Sequence, residues 1–243
     1  MFNLASPVGW PAGILAKLAY QAEIRRKTVR LVWLISTVII VGISGPVAAQ
    51  GWFGYINEID SFTVNFPAEP EVEQINYPSE YGAVFPGRVY TARSGENVYS
   101  VTVIDYRDAE NIHLARTNST EADSPENYQY WIIDVMASIA YAAHNYRERG
   151  GDVSYDAWAH IDRVPGHQLQ ITNADRSRTF VGIYLHGRRL YIVDATVPPS
   201  APPQGHFQQS IGFIDDTGER IRYDYDENWH LVRSGWTQNQ NQN

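Results

Sequence analysis

Seven histidines, His113, His144, His160, His167, His186, His206 and His230, are the side chains here best suited to proton transfer or metal binding. They are scattered, and no two of them share the short spacing that metal-binding histidines use. A catalytic role would need the fold to gather His144, His160 and neighbouring carboxylates into one deep pocket. Asp224-x-Asp226-x-Asn228 opens like a calcium loop, but Trp229 stands where the loop needs glycine and Gly235 where it needs a bidentate glutamate. Asp215-Asp216 with Glu219 reads as an acidic turn, with a weak extracellular Ca²⁺ site as the alternative, and Asn118-Ser119-Thr120 as a loop. No nucleophile elbow, phosphate loop or dinucleotide fingerprint occurs. Cysteine is absent, which removes thiol catalysis, disulfide exchange and thiolate-metal chemistry. The expectation is a chain that is not an enzyme, with no catalytic residue, no cofactor and no metal.

Aromatic residues are the other chemical resource. Most fall at core positions of the elements described below. Trp52, Phe53, Tyr55, Trp229 and Trp236 do not, and they form the candidate partner-docking set, with mutual packing as the alternative use. Aromatic anchors carry much of the energy of protein interfaces.

Charge divides the chain. Up to Ala49 there are five basic residues (Lys17, Arg25, Arg26, Lys27 and Arg30) and one acid, Glu23; of the chain's 19 basic and 27 acidic residues this leaves 14 and 26 for the rest, where every base is arginine. So acidic a body excludes nucleic acid, whose phosphates demand clustered bases, and disfavours anionic lipid surfaces. The basic Arg25–Arg30 stretch directly precedes the apolar run Leu31–Val41; Gly45-Pro46 then breaks the run, and small residues lead to Gln50. These are the three parts of a secretory signal. Residues 1–49 are therefore expected to be a signal peptide with an extended n-region, or one whose true start lies near Arg25, cleaved near Ala49-Gln50. Delivery is to the periplasm or beyond. Arg25-Arg26 fits the twin-arginine pattern poorly. The alternative is a single-pass inner-membrane anchor formed by residues 31–43, the only route to a membrane, although the run is short for a span.

The remaining residues form a chain large enough to bury roughly 70% of its unfolded surface without staples. Residues 50–60 read as a linker, 61–216 as one domain, 217–236 as an added hairpin and 237–243 as a disordered polar tail. Phe62–Phe66 alternates as a half-buried strand and is stopped by Pro67 and Pro70. Val84–Ala92 and Val98–Tyr106 flank the turn residues Ser94–Asn97 and predict a hairpin. A helix is predicted over 124–149, with Ser124 as cap, Pro125 at the first position, and a stripe of Tyr128, Trp131, Ile132, Val135, Met136, Ile139, Ala143 and Tyr146. Ala157–Ile161, His167–Thr172, Thr179–His186 and Arg188–Val197 follow as strands, the last two joined at Gly187. That hairpin is apolar on both faces, with Val181, Ile183 and Leu185 opposite Phe180 and Tyr184. A sheet covered on both sides is implied, by the long helix and by a short one over 205–212 that points Phe207 and Ile211 inward.

The fold class is α+β, an antiparallel sheet flanked by helices. Phe62-x-Val64-x-Phe66-Pro67-x-x-Pro70, the hairpin ending Leu190-Tyr191-Ile192-Val193, the proline-rich loop after it and Phe207-x-x-Ser210-Ile211-x-Phe213 resemble the PsbP-like α/β/α sandwich proteins over about Phe62–Phe213. The resemblance implies that fold, and it implies the binding of a larger partner without catalysis, as in the better-known members. It carries no functional residue over to this chain. The functional expectation is an exported, periplasmic, non-catalytic binding or accessory protein that engages a protein or envelope partner. The alternatives are a membrane-tethered structural subunit and a small-molecule-binding enzyme without a recognisable motif.

Overall fold

The computed structural model describes residues 51–117 and 130–234. Its elements are β1 (Phe53–Asn57), β2 (Phe62–Phe66), β3 (Glu71–Pro78), β4 (Val84–Ser94), β5 (Asn97–Asp105), α1 (Ala109–Thr117), α2 (Tyr130–Glu148), β6 (Asp152–Ile161), β7 (Val164–Thr172), β8 (Arg178–His186), β9 (Arg189–Val197), α3 (Gly205–Ser210), β10 (Gly212–Ile214), β11 (Arg220–Ile221), β12 (Tyr223–Tyr225) and β13 (Leu231–Arg233). Seven strands form one antiparallel sheet in the order β3-β4-β5-β9-β8-β7-β6; a second sheet runs β1-β2-β10-β11, and β12-β13 is a separate hairpin. The chain is α+β and mostly antiparallel sheet.

Turn chemistry sets the registers. His186 pairs with Arg189 across Gly187-Arg188, and Ile161 pairs with Val164 across Asp162-Arg163. All four turn residues have positive φ, the geometry whose twist matches two-residue hairpins. Three of them are not glycine, so pairing of the flanking strands holds the backbone there.

Each face of the large sheet carries its own core. On one, Phe85, Ile104, Leu169, Ile171, Val181 and Ile183 meet Val135, Ala142, Ala143 and Tyr146 of α2. On the other, Tyr90, Tyr99, Val101, Tyr184 and Tyr191 meet Phe62, Val64 and Phe66 of β2, together with Phe207, Ile211 and Phe213. Phe207 and Ile211 point inward as expected. The second layer, however, consists of a four-stranded sheet as well as the six-residue α3.

Several expectations need revision. The stretch 50–60 is not a linker throughout, because Phe53–Asn57 is a strand in full register with β2. Its faces are mostly exposed, which blurs the alternation. Glu71–Pro78 is a polar edge strand, and α1 precedes the long helix; neither was anticipated. The boundary at 216/217 cuts a hairpin, since Phe213 of β10 pairs with Ile221 of β11. In α2 the buried face runs through Asp134, Val135, Ser138, Ala142 and Tyr146, while Met136 is 75% exposed and Ile132 and Ile133 are also exposed. The apolar stripe is wider than the strip that touches the sheet, and small Ser138 and Ala142 let the helix sit close. Gly150 and Gly151, both at positive φ, follow the helix as expected. The proposed cap Ser124, with Pro125 and Tyr128, lies outside the described residues, as do residues 1–50, Asn118–Thr120, Gly235, Trp236 and the polar tail. Among the described residues no helix is long and apolar enough to cross a membrane.

Candidate functional site

The ionisable groups most able to do chemistry are held in structural pairings. Ser79, His113 and Asp134 meet in the interior: Ser79 Oγ donates to Asp134 Oδ2 at 2.5 Å, and His113 Nε2 lies 2.9 Å from the same oxygen. These are the three residue types of a hydrolytic triad in a different order. The carboxylate, not the imidazole, receives the serine hydroxyl, so His113 is not placed to activate Ser79 as a nucleophile. All three are buried, and Ser79 Oγ also accepts the Ala83 amide at 3.2 Å. The node joins α1, α2 and the turn between β3 and β4.

Asp60 is a second buried centre. Arg88 grips its carboxylate with Nε at 2.7 Å and with a second guanidinium nitrogen, and the Tyr90 hydroxyl donates to it at 2.6 Å. The Asp60 amide donates to Asn57 Oδ1 at 2.8 Å, and its carbonyl accepts Tyr191 at 2.8 Å. Burial and the bond to Asp60 push the Tyr90 hydroxyl well above its usual range. The arrangement fastens β1–β2 to the large sheet.

The remaining histidines disperse. His144 and His160 are both exposed, on α2 and β6. His167 stands 2.5 Å from Asp156, which also accepts Arg147 Nε at 2.7 Å. His186 stacks on Phe213 and lies 2.9 Å from the Tyr223 hydroxyl. In the calcium-like segment, Asp226 Oδ1 accepts the backbone amides of Asn228 and His230, which closes a hairpin turn. Asp215 is engaged by Thr217, the Glu219 amide and Arg233; the Thr217 hydroxyl, followed by Arg233, holds its carboxyl well below the usual range. Among the described residues no three His, Asp or Glu side chains are grouped to hold a metal.

A groove of about 350 Å³ lies at one end of the second layer, lined by Trp52, Asn65, Gln204, His206, Phe207 and Ser210. Its floor is built from the core: Phe207 is buried against Phe66 at 5.5 Å and Tyr99 at 5.1 Å. Trp52, 48% exposed, stands edge-on to Tyr99 at 4.9 Å and forms one wall. Tyr99 donates its hydroxyl to Gln204 Oε1 at 3.2 Å and accepts Asn97 Nδ2 at 3.2 Å; Gln204 Nε2 donates to the Pro202 carbonyl. Ser210 Oγ accepts the Asn65 amide at 3.1 Å and donates to the Phe207 carbonyl. The lining is thus a fixed aromatic surface rimmed by amides, a hydroxyl and one imidazole, with no carboxylate, lysine or arginine. Such a surface suits an uncharged ligand segment that stacks and exchanges hydrogen bonds.

The aromatic docking set divides among several places. Trp52 walls the groove, and Phe53 is partly exposed on β1. Tyr55 packs into the core against Phe62, Phe66 and Tyr90. Trp229 projects from the β12–β13 tip, 80% exposed and at positive φ, with Tyr225 5.8 Å away. Trp236 lies outside the described residues. Asn65 and Gln204 were not singled out in the sequence, and Ser210 only within the structural motif Phe207-x-x-Ser210-Ile211-x-Phe213; a further signal was the polar Gln204–His206 stretch directly after Pro202-Pro203.

No protein-family model matches the chain, and no curated protein matches it. Among solved structures, the chain is similar to the solution structure of cyanobacterial PsbP (CyanoP) from Synechocystis sp. PCC 6803. The identity is 12%, the match covers 63% of this chain and 84% of that one, and the TM-score is 0.33.

Proposed function

We propose that this chain is an exported, non-catalytic binding or accessory protein of the PsbP-like α/β/α sandwich kind, and that the Trp52 groove receives a segment of its protein or envelope partner. The observation that carries the reading is the aromatic-walled groove, lined by no carboxylate, lysine or arginine, set beside the buried Ser79, His113, Asp134 and Asp60, which are engaged in holding the fold together. Export rests on the basic cluster, apolar run and small residues that precede Gln50.

The test places a photo-crosslinking amino acid at exposed His206 and, as control, at exposed Glu73 on β3, in cells that carry the full chain. A discrete adduct from position 206 that is absent from position 73 and is lost with Trp52→Ala supports the reading. Equal labelling at both positions, or none at 206, overturns it. N-terminal sequencing of the same material reads the processing site, expected at Gln50. A retained apolar segment would make the protein a tethered subunit instead.

A further inference from the structure

The two edges of the large sheet are unlike. The β3 edge carries Glu71 and Glu73, charges of the kind that discourage pairing, and ends in Pro78; of the two acids on β6, Asp152 lies at its start and Asp156 is held by Arg147. The β6 edge carries Trp158, 73% exposed, with Tyr155 and Val153 also exposed, and none of its ten residues is Lys, Arg or Pro. A long edge of this composition is a template for another strand.

Which strand fits is written in the order of its residues. A two-fold axis perpendicular to the sheet joins two copies of an edge strand antiparallel, and it places opposite each other only residues of the same face. Centred on Trp158, it sets Trp158 against Trp158 of the second copy, Ala157 against Ala159, Asp156 against His160, and Tyr155 against Ile161. Small meets small, aromatic meets aliphatic or its own kind, and both copies' acids meet bases. Centred on Asp156, the axis would instead oppose two carboxylates; centred on Ala157, it would leave Asp156 facing Trp158 and His160 facing Ser154.

The monomer prepares this register. Asp156 and Trp158 pair with Leu169 and His167 on the helix-covered side, where Arg147 of α2 holds the Asp156 carboxylate and His167 meets the Trp158 ring edge-to-face at 5.3 Å. The one irregularity in β6, between Val153 and Tyr155, falls just outside the seven residues 155–161 that would pair. We propose that this protein self-associates as a two-fold dimer through β6, continuing the seven-stranded sheet into a second copy with Trp158 at the axis.

Sedimentation equilibrium on the full chain, as its host cell matures it, should show a monomer–dimer equilibrium. His160→Asp alters an exposed side chain and places two carboxylates opposite each other twice, so it should weaken association about tenfold or more. The chain has no cysteine, so introduced thiols report the register. Trp158→Cys should cross-link to itself under mild oxidation, since opposed residues in antiparallel strands stand within disulfide reach. Ala157→Cys alone should not, whereas Ala157→Cys with Ala159→Cys should, and that pair keeps the register readable if loss of Trp158 weakens the dimer. A monomeric wild type at high micromolar concentration, a dimer indifferent to His160→Asp, or cross-linking by Ala157→Cys alone would each overturn the proposal.

Discussion

The ring of Tyr184 lies across Gly166 so closely that a β-carbon there would meet its Cδ1 at 2.3 Å and the Ile183 carbonyl oxygen at 2.4 Å. Tyr184 also covers Gly182, where an added β-carbon would come within 2.9 Å. The ring is fully buried and its hydroxyl accepts Gln168 Nε2 at 3.1 Å, so it has nowhere to retreat. Gly166→Ala should therefore destabilise by about 2–3 kcal/mol, as overpacking does, and Gly182→Ala by less. Urea unfolding reads both; an unchanged midpoint for Gly166→Ala would refute the interlock.

Asp60 and Arg88 test whether the small sheet is fastened electrostatically. The Asp60 side chain is almost fully buried, whereas Arg88 keeps partial exposure. Arg88→Met leaves a buried carboxylate without its cation and should cost about 3–5 kcal/mol. Asp60→Asn added to Arg88→Met should recover a large part of that loss. If the double variant is no more stable than the single one, the ion pair is not what holds β1–β2 in place.

Asp194 and Asp156 shift in opposite directions, and their pH effects have opposite signs. Desolvation raises the Asp194 carboxyl even though the Tyr146 hydroxyl donates to it. A folded-state pKa above the unfolded value of about 3.9 means that the charged form costs stability at neutral pH, and that the cost is relieved as pH falls through the raised value. Asp194→Asn, which keeps an acceptor for Tyr146, should thus match or exceed wild-type stability at pH 7. A clear loss of melting temperature would contradict this.

For Asp156 the bond from Arg147 comes first, and His167 adds to it, bringing the carboxyl down to about 2. Its contribution is complete above about pH 4 and lost as pH falls toward 2. Both side chains of the Arg147 pair are partly exposed, so that contribution stays below about 1 kcal/mol. Carboxylate titration by NMR should find the low midpoint in wild type and its return toward the ordinary aspartate range in Arg147→Gln. An equally low midpoint in the variant would assign the shift to another group.

Legibility in the sequence follows from how many constraints bear on a segment. The β4–β5 and β8–β9 hairpins combine apolar strands with turn residues at their joints, and both were readable with small boundary errors. The strands β1 and β3 have one side open to solvent, lack that redundancy, and were missed. The interior of α2 was read from apolar residues alone, which concealed Asp134: an acid in mid-helix reads as solvent-facing until Ser79 and His113 arrive from elsewhere in the chain. The groove was illegible for a related reason. Trp52, Asn65, Tyr99 and Gln204 become neighbours only after the second layer closes on the sheet.

Because β8 and β9 contribute side chains to both cores, neither covering layer can lift away without wetting the strands that support the other. Their amides should exchange with solvent deuterium only through global opening, while those of β3 and the β12–β13 tip exchange through local fraying. The molecule should accordingly lose its two layers in a single cooperative transition rather than shed one and keep the other.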